Sequence, residues 1–207
     1  LNLYPISIYN DKVTFSGLGI RQGGTRMRRV EKLEVPRQKL CLITGAPASG
    51  KNTLLKRIAG STVPILRVSE LCGSSPNGTL LHDDVVIPRI EEAIRAVSHR
   101  QIVYVDGLPR TVHQADWVNR FATHTDRPRN VQVVVLDVSQ EVALNRIAQR
   151  QRGPDDEPEV ALRRLEEWYF QSGRIITTLK VPQVIIDTTF LSKRDVAGRF
   201  LQTLFGA

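Results

Sequence analysis

Cysteine is scarce in this chain of 207 residues, and its scarcity excludes two kinds of protein. The sequence contains Cys41 and Cys72, with no C-x-x-C pair and no histidines at metal-binding spacing beside them. Disulfide frameworks and structural zinc sites both need several such residues at short spacings. The sequence therefore supports neither of them, and a reducing compartment is the simplest interpretation.

Long hydrophobic runs are also missing. The longest apolar stretches, such as residues 131–138, are far shorter than the roughly 20 residues that a membrane-spanning helix needs. Internal repeats and low-complexity segments are absent as well. With 41% hydrophobic residues, the chain suits one compact domain plus an extra segment, and we predict no contact with a membrane.

The charge is strongly positive, with 29 basic and 21 acidic residues giving a net charge of +8. This excess implies an anionic partner, either small phosphate ligands or nucleic acid, and composition alone does not choose between them. Basic residues are dense from Arg21 to Lys39. We predict a basic arm or linker over residues 1–39 and a single domain over residues 40–207, and the arm is a candidate contact for a protein or RNA partner.

The first 30 residues contain four arginines and one acid, Asp11. That balance is compatible with an organellar protein as well as a cytoplasmic one. We therefore expect an intracellular protein and leave the cytoplasm and the mitochondrion as alternatives.

Short β-rich runs alternate with helical stretches from Leu40 onward. This alternation predicts an α/β fold with a five-stranded parallel sheet flanked by helices. Proline suits the first turn of a helix, so one helix is predicted to begin near Pro88. The predicted strands cover residues 40–44, 65–68, 102–106, 131–138 and 184–187, and the predicted helices cover residues 51–59, 88–99, 111–123, 139–151, 157–179 and 191–205.

A glycine-rich segment lies directly between the first of these strands and the first helix. Glycines let backbone N–H groups converge on phosphate oxygens, and the helix N-terminus presents its positive end to the same anion. Lys51 adds a charge for the β- and γ-phosphates, although Asn52 stands where the general pattern has Ser or Thr. The hydroxyl comes one position later. The predicted ATP-binding loop consists of Gly45, Ala46, Pro47, Ala48, Ser49, Gly50, Lys51, Asn52 and Thr53.

A second motif, D-G-L-P-R-T-x-x-Q-A, begins at Asp106, where another predicted strand ends. A carboxylate at this position is able to hold a water-bound Mg²⁺, and the guanidinium of Arg110 is able to fork onto a phosphate. Gln114 lies one helical turn beyond Arg110, so both side chains can address one ligand.

These two motifs resemble those of adenylate kinases, which have G-x-P-x-x-G-K-x-T and D-G-F-P-R-T-x-x-Q-A, with Leu108 here replacing the phenylalanine. The resemblance implies a P-loop nucleoside-monophosphate kinase that uses ATP and Mg²⁺. It further implies that Arg110 binds the phosphate of the monophosphate, that Gln114 binds its adenine edge, and that Asp106 holds Mg²⁺ through water.

An arginine-rich segment that begins at Asp137 resembles the region around the lid of the same family. The resemblance implies that Arg146 stacks against the ATP base. It also implies that Arg150, Arg152 and Arg164 clamp the phosphates during transfer, together with Lys51 and Arg110.

The sequence departs from the family where the monophosphate should be gripped. In place of the S-T-G-D-x-x-R element the chain has R-V-S-E-L-C-G from Arg67, which lacks the gripping threonine and arginine. Only a short loop fits between Glu70 and Gly78, and residues 151–154 leave little room for a lid. Arg67 and Arg89 are the two alternatives for replacing the missing arginine.

Two functions follow from these features. The first is a kinase that transfers the γ-phosphoryl group of ATP to AMP or a related monophosphate, which we favour because the phosphate loop and the arginines are retained. The second is a weakly active or inactive ATP-binding subunit of a larger assembly, such as a ribonucleoprotein, docked by its basic arm.

Overall fold

The computed structural model describes residues 6–9, 12–15, 38–60, 62–73, 79–123, 130–150 and 157–206. Residue contacts divide the chain into two units, Leu1–Arg37 and Gln38–Ala207. In the first unit, β1 (Ile6–Tyr9) and β2 (Lys12–Phe15) pair in antiparallel fashion. Most of the predicted arm lies outside the described residues, so its role as a docking segment stays a prediction.

The described part of the second unit contains a parallel sheet of five strands. In chain order these are β3 (Lys39–Gly45), β4 (Ile65–Arg67), β5 (Ile102–Asp106), β6 (Asn130–Asp137) and β7 (Gln183–Asp187). Across the sheet the order is β4-β5-β3-β6-β7, and all four neighbouring pairs are parallel. The predicted α/β fold with a five-stranded parallel sheet is therefore confirmed.

Helices cover both faces of this sheet. Within the described ranges they are α1 (Lys51–Ile58), α2 (Val68–Cys72), α3 (Asp83–Ala96), α4 (Val112–Thr123), α5 (Gln140–Arg150), α6 (Pro158–Thr178) and α7 (Lys193–Phe205). Helix α6 is the longest of them, at 21 residues. No helix in these ranges has the length and apolar character needed to cross a bilayer.

The two faces of the sheet carry separate hydrophobic cores, because side chains alternate along a strand. In β3, Cys41 and Ile43 pack with α1 and α7. Phe200 of α7 is fully buried in this core. Leu40 and Leu42 point to the opposite face and pack with α3 to α6. Because helices cover both of its faces, β3 is buried. Its packing therefore fixes the position at which the following loop begins.

Helix α3 begins at Asp83, so the prediction that a helix begins near Pro88 is wrong. Val86, Ile90 and Ile94 are buried at four-residue spacing. This apolar stripe begins before Pro88 and ends after it, while Pro88 itself is exposed. Each fully buried Val or Ile contributes roughly 1.5–3 kcal/mol. Together they outweigh the cost of about 3 kcal/mol that an interior proline imposes on a helix.

The first strand of the sheet begins at Lys39, the last residue of the predicted arm. Its backbone N–H donates to Gln101 O at 2.7 Å. Its ammonium donates to Leu204 O and lies 5.7 Å from the centroid of the Phe205 ring. Lys39 therefore belongs to the domain rather than to the arm, because its backbone already has a partner in the sheet.

Candidate nucleotide-binding cleft

A cleft of about 1760 Å³ opens where the parallel strands end, and it is lined by Gly45, Arg67 and Asp106, among other residues. These three residues are the last ones of β3, β4 and β5. Ligands of open α/β sheets bind outside the carboxyl ends of the strands. Pockets for one small ligand measure roughly 300–1000 Å³, so this cleft has room for more than one.

The backbone conformation of the loop between β3 and α1 depends on two glycines with positive φ. Gly45 has φ of +144°, and an added Cβ would lie 2.1 Å from Leu136 O, so no larger residue fits there. Gly50 has φ of +97° and caps α1 without any side-chain hydrogen bond. The first turn of α1 also contains no acidic residue. Its N–H groups, which have no partners within the helix, therefore remain able to bind an anion.

Lys51 folds back onto the loop that precedes it. Its ammonium donates hydrogen bonds to Gly45 O at 2.7 Å and to Ala46 O at 2.8 Å, and it lies 3.4 Å from Ser49 Oγ. Apart from Ala46, whose side chain is buried in the core, every residue of the predicted ATP-binding loop lines the cleft.

Several charged side chains act on the ammonium of Lys51. Its pKa is lowered from 10.5 to about 7, mainly by burial; the positive charges of Arg110, Arg164 and Arg150 contribute to the lowering, whereas Asp106 opposes it. The side chains predicted to bind the phosphates thus lie close enough to Lys51 for their charges to act on its ammonium. A bound polyphosphate would favour the charged ammonium, because opposite charges stabilise each other.

Asp106 is the last residue of β5, which lies between β4 and β3. It pairs in register with Ile43 of β3 on one side and with Arg67 of β4 on the other. Magnesium is commonly bound by one or two carboxylates and by water rather than by an all-protein cage. A single carboxylate at a strand end in the same cleft as the phosphate loop fits an Mg²⁺ that is held mainly through water. Within the described ranges no group of three or more metal-ligating side chains exists.

Arg110 and Gln114 form another wall of the cleft. Gly107, with φ of +93°, lets the Arg110 guanidinium cross its backbone, since a Cβ there would lie 2.6 Å from Arg110 Nη2. Gln114 is only 3% exposed. Its Oε1 accepts from Arg110 N at 2.7 Å, and its Nε2 donates to Asp83 Oδ1 at 2.7 Å. The protein thereby fixes the orientation of the amide, while each amide atom keeps capacity for one more hydrogen bond.

On the opposite side of the loop, Arg146 joins two segments of the chain. Its Nη2 donates to Thr188 O at 2.7 Å, and its Nη1 lies 3.3 Å from Ala48 O. The hydroxyl of Thr188 lies 3.1 Å from Ser49 O and 2.9 Å from Asp137 O. These hydrogen bonds, which are buried or partly buried, hold the phosphate loop against the end of β7.

Comparison with known proteins identifies the family. An adenylate kinase of Nautilia profundicola is 33% identical over 167 residues, which cover 67% of this chain and 86% of that protein. The chain belongs to the adenylate kinase family. This confirms the resemblance that the motifs indicated, although no family profile matches the chain.

Other relatives of this adenylate kinase-family chain give the same result. An adenylate kinase of Helicobacter hepaticus is 32% identical over 177 residues, covering 77% of this chain and 86% of that protein. One of Campylobacter fetus is 35% identical over 146 residues, covering 62% of this chain and 76% of the relative.

The structure brings most of the predicted site residues of this adenylate kinase-family chain into the cleft. Arg110, Gln114, Arg146, Arg150 and Arg164 all line it, as do Lys51 and Asp106. Arg152 lies outside the described residues, so its predicted role stays a prediction, as do the individual roles of the others.

Among the cleft residues that were not in the predicted site, Thr188 and Arg67 make contacts that bear on its function. The role of the Thr188 side chain was not predicted, because it depends on the segments that the hydroxyl joins, and these are far apart in the sequence. Arg67 appeared only as one of two alternatives for a missing arginine, and the structure places it in the cleft.

Proposed function

We propose that this chain transfers the γ-phosphoryl group of ATP to AMP or a related nucleoside monophosphate. One observation carries the proposal: a single cleft at the strand ends gathers a phosphate-type loop, Lys51, Asp106 and three arginines whose charges all act on Lys51. Membership of the adenylate kinase family supports the same reaction class. ATP and Mg²⁺ are the cofactors of that family.

Phosphoryl transfer needs positioning and charge neutralisation more than covalent chemistry from the protein. The N–H groups of the loop and the Lys51 ammonium would hold the β- and γ-phosphates of ATP. Arg150 and Arg164 would neutralise the charge that spreads over the oxygens of the moving phosphoryl group. Asp106 would hold Mg²⁺ through water, and the ion would supply further neutralisation between the phosphates.

The two nucleotides would occupy opposite sides of the loop. The donor side consists of Arg146, Thr188 and the loop between β3 and α1. There the guanidinium of Arg146, which is held by hydrogen bonds to Ala48 O and Thr188 O, would stack on the ATP base. The acceptor side consists of Arg110, Gln114 and Arg67. There the oriented amide of Gln114 offers one donor and one acceptor, which is the pattern that the adenine edge of AMP requires.

The alternative function, a weak or inactive ATP-binding subunit docked by its basic arm, finds no support among these relatives. A protein or RNA partner likewise finds none. The compartment stays a prediction.

A coupled assay tests the proposal. Purified protein with ATP and Mg²⁺ is given each of AMP, GMP, CMP and UMP, and we expect turnover with AMP to be the fastest. Lys51→Ala should lower kcat by at least about a hundredfold, which is typical for the loss of one preorganised donor to a developing charge. Arg57→Ala, in the exposed part of the same helix and outside the cleft lining, is the matched control and should keep its activity.

The result that contradicts the proposal is equally definite. ATP binding by the unmodified chain, with no turnover above that of Lys51→Ala for any of the four monophosphates, would leave a nucleotide-binding protein without kinase activity.

A further inference from the structure

Arg67 ends the edge strand of the sheet inside the cleft. It is the last residue of β4, pairs in register with Asp106, and lines the same cleft as Lys51 and Arg110. Its side chain is 26% exposed, so it is partly buried and yet accessible to a ligand. An arginine in this position adds a positive charge to the wall of the cleft that lies farthest from β7.

Two carboxylates hold the guanidinium of Arg67 without using most of its hydrogen-bonding capacity. Nη1 donates to Glu70 Oε1 at 3.3 Å, and Nε lies 3.9 Å from Asp106 Oδ2, which is too long for a hydrogen bond. A guanidinium has five N–H donors. In the described part of the chain, the contact with Glu70 is the one hydrogen bond that this group makes, so it retains donors for an anion.

The order of the strands decides which phosphate Arg67 can reach. Neighbouring strands lie about 4.8 Å apart, so β4 lies roughly 10 Å from β3 and its phosphate loop, with β5 between them. Arg146 and Thr188 lie on the other side of that loop, where β6 and β7 end. Arg67 is therefore on the side away from the donor base, at a distance that suits the phosphate of a second nucleotide.

Arg89, the alternative candidate, has a different position. It is exposed on α3, does not line the cleft, and its Nη1 donates to Leu71 O at 3.0 Å. This contact ties α3 to α2, which is a structural task.

We infer that Arg67 binds the phosphate of the acceptor monophosphate, together with Arg110 on the other side of Asp106. The inference rests on the proposed function, whose acceptor it concerns. The planar fork of an arginine matches two oxygens of a phosphate. The exposed Glu70, at 65% side-chain exposure, would release the guanidinium when a phosphate arrives.

Equilibrium binding, measured by calorimetry without ATP, tests the inference independently of turnover. AMP and adenosine are titrated into the unmodified chain, Arg67→Ala, Arg67→Lys and Arg89→Ala. We expect Arg67→Ala to weaken AMP binding by ~10- to 100-fold, the range for a charge-assisted contact, while adenosine binding stays the same. Arg67→Lys should keep part of the affinity, and Arg89→Ala should match the unmodified chain.

Equal losses for AMP and adenosine, or unchanged AMP affinity in Arg67→Ala, would overturn the inference. A kinetic result would overturn it as well. If Arg67→Ala changed the Mg²⁺ concentration that gives half of the maximal rate but left the KM for AMP unchanged, Arg67 would act through Asp106 and not on the acceptor. Absence of turnover in the unmodified chain would overturn the proposed function but not this inference, provided that the loss of AMP affinity in Arg67→Ala is observed.

Discussion

On the donor side of the cleft, Thr188 makes hydrogen bonds to segments that are far apart in the chain, whereas at the edge of the acceptor side Arg67 makes an exposed contact with a near neighbour. Thr188, 3% exposed, contacts residues 51 and 139 positions away, Asp137 and Ser49. On the acceptor side, Arg67 contacts Glu70 three positions along the chain. Under the proposed function, we therefore expect the donor side to be formed before ATP binds, and Arg67 at the edge of the acceptor side to take its final position only when the acceptor binds.

The length of the elements explains this difference. The donor side lies at the ends of β3, with seven residues, and of the edge strand β7, with five, whereas β4 at the other edge has three residues and is followed by the five-residue helix α2. Short elements at an edge bury few apolar contacts and open at a low free-energy cost. The predictions below test whether changes on the donor side are more costly than changes on the acceptor side.

The largest effect is expected for Gly45→Ala on the donor side. The new Cβ would meet the backbone oxygen of Leu136 at 2.1 Å, and φ of +144° disfavours alanine. We expect the free energy of unfolding to fall by about 3 kcal/mol and ATP binding to be lost, as measured by denaturant unfolding and calorimetry. Gly198→Ala in α7, where nothing lies within 4 Å of the added Cβ, is the control and should stabilise the chain by about 0.5–1 kcal/mol.

A smaller effect is expected for Thr188→Val, which removes the hydroxyl and keeps the shape. The hydroxyl would no longer donate to Ser49 O or Asp137 O, at a cost of about 1–3 kcal/mol, although Asp137 O keeps the backbone N–H of Thr188 as a partner. We expect the Kd for ATP to rise by roughly tenfold and the Kd for AMP to stay the same. Thr177→Val on the exposed surface of α6 is the matched control. Equal weakening of both nucleotides would contradict a separate, prebuilt donor side.

The lowered pKa of Lys51 predicts that ATP binding takes up a proton, whereas AMP binding takes up little. The group has its pKa lowered to about 7, mainly by burial, so at pH 8 most of the free protein carries a neutral Lys51 amine. Phosphates of ATP raise that pKa, so binding should take up as much as about one proton near pH 8 and far less below pH 6. Calorimetry in buffers of different ionisation enthalpy measures the uptake.

Two controls accompany this measurement. Lys51→Ala should abolish the proton uptake, and AMP binding should cause little of it. Uptake of the same size for AMP would contradict a separate donor side, because AMP would then act on this lysine as strongly as ATP does.

The smallest effect is expected for Glu70→Gln on the acceptor side. An exposed ion pair contributes about 0–1 kcal/mol to stability, so the free energy of unfolding should hardly change. AMP should bind slightly more tightly, because Glu70 no longer competes for Arg67. Glu166→Gln on the exposed face of α6 is the control. Weaker AMP binding in Glu70→Gln would indicate that Glu70 positions Arg67 instead of competing with the ligand.

The sequence predicted the parts of this protein that depend on local pattern. Buried parallel strands appear as short apolar runs, and the phosphate loop has a fixed spacing of glycines and lysine between a strand and a helix. For these reasons the five strands, the loop from Gly45 to Thr53 and the position of Asp106 at a strand end could all be recognised without a structure.

Features that depend on tertiary packing could not be predicted in this way. The early start of α3 comes from burial of Val86 against the core, which overrides the proline signal. The fixed amide of Gln114 depends on Asp83, 31 residues away. Likewise, the choice between Arg67 and Arg89 required knowing which of the two side chains lines the cleft.

Transfer of labelled phosphate tests the central claim most directly. The chain is incubated with ATP labelled at the γ-phosphate, Mg²⁺ and unlabelled AMP, and the products are separated by chromatography. The account predicts that the label appears in ADP, only when AMP is present, and not with Lys51→Ala. Label released only as inorganic phosphate, or at a rate that does not depend on AMP, would contradict it.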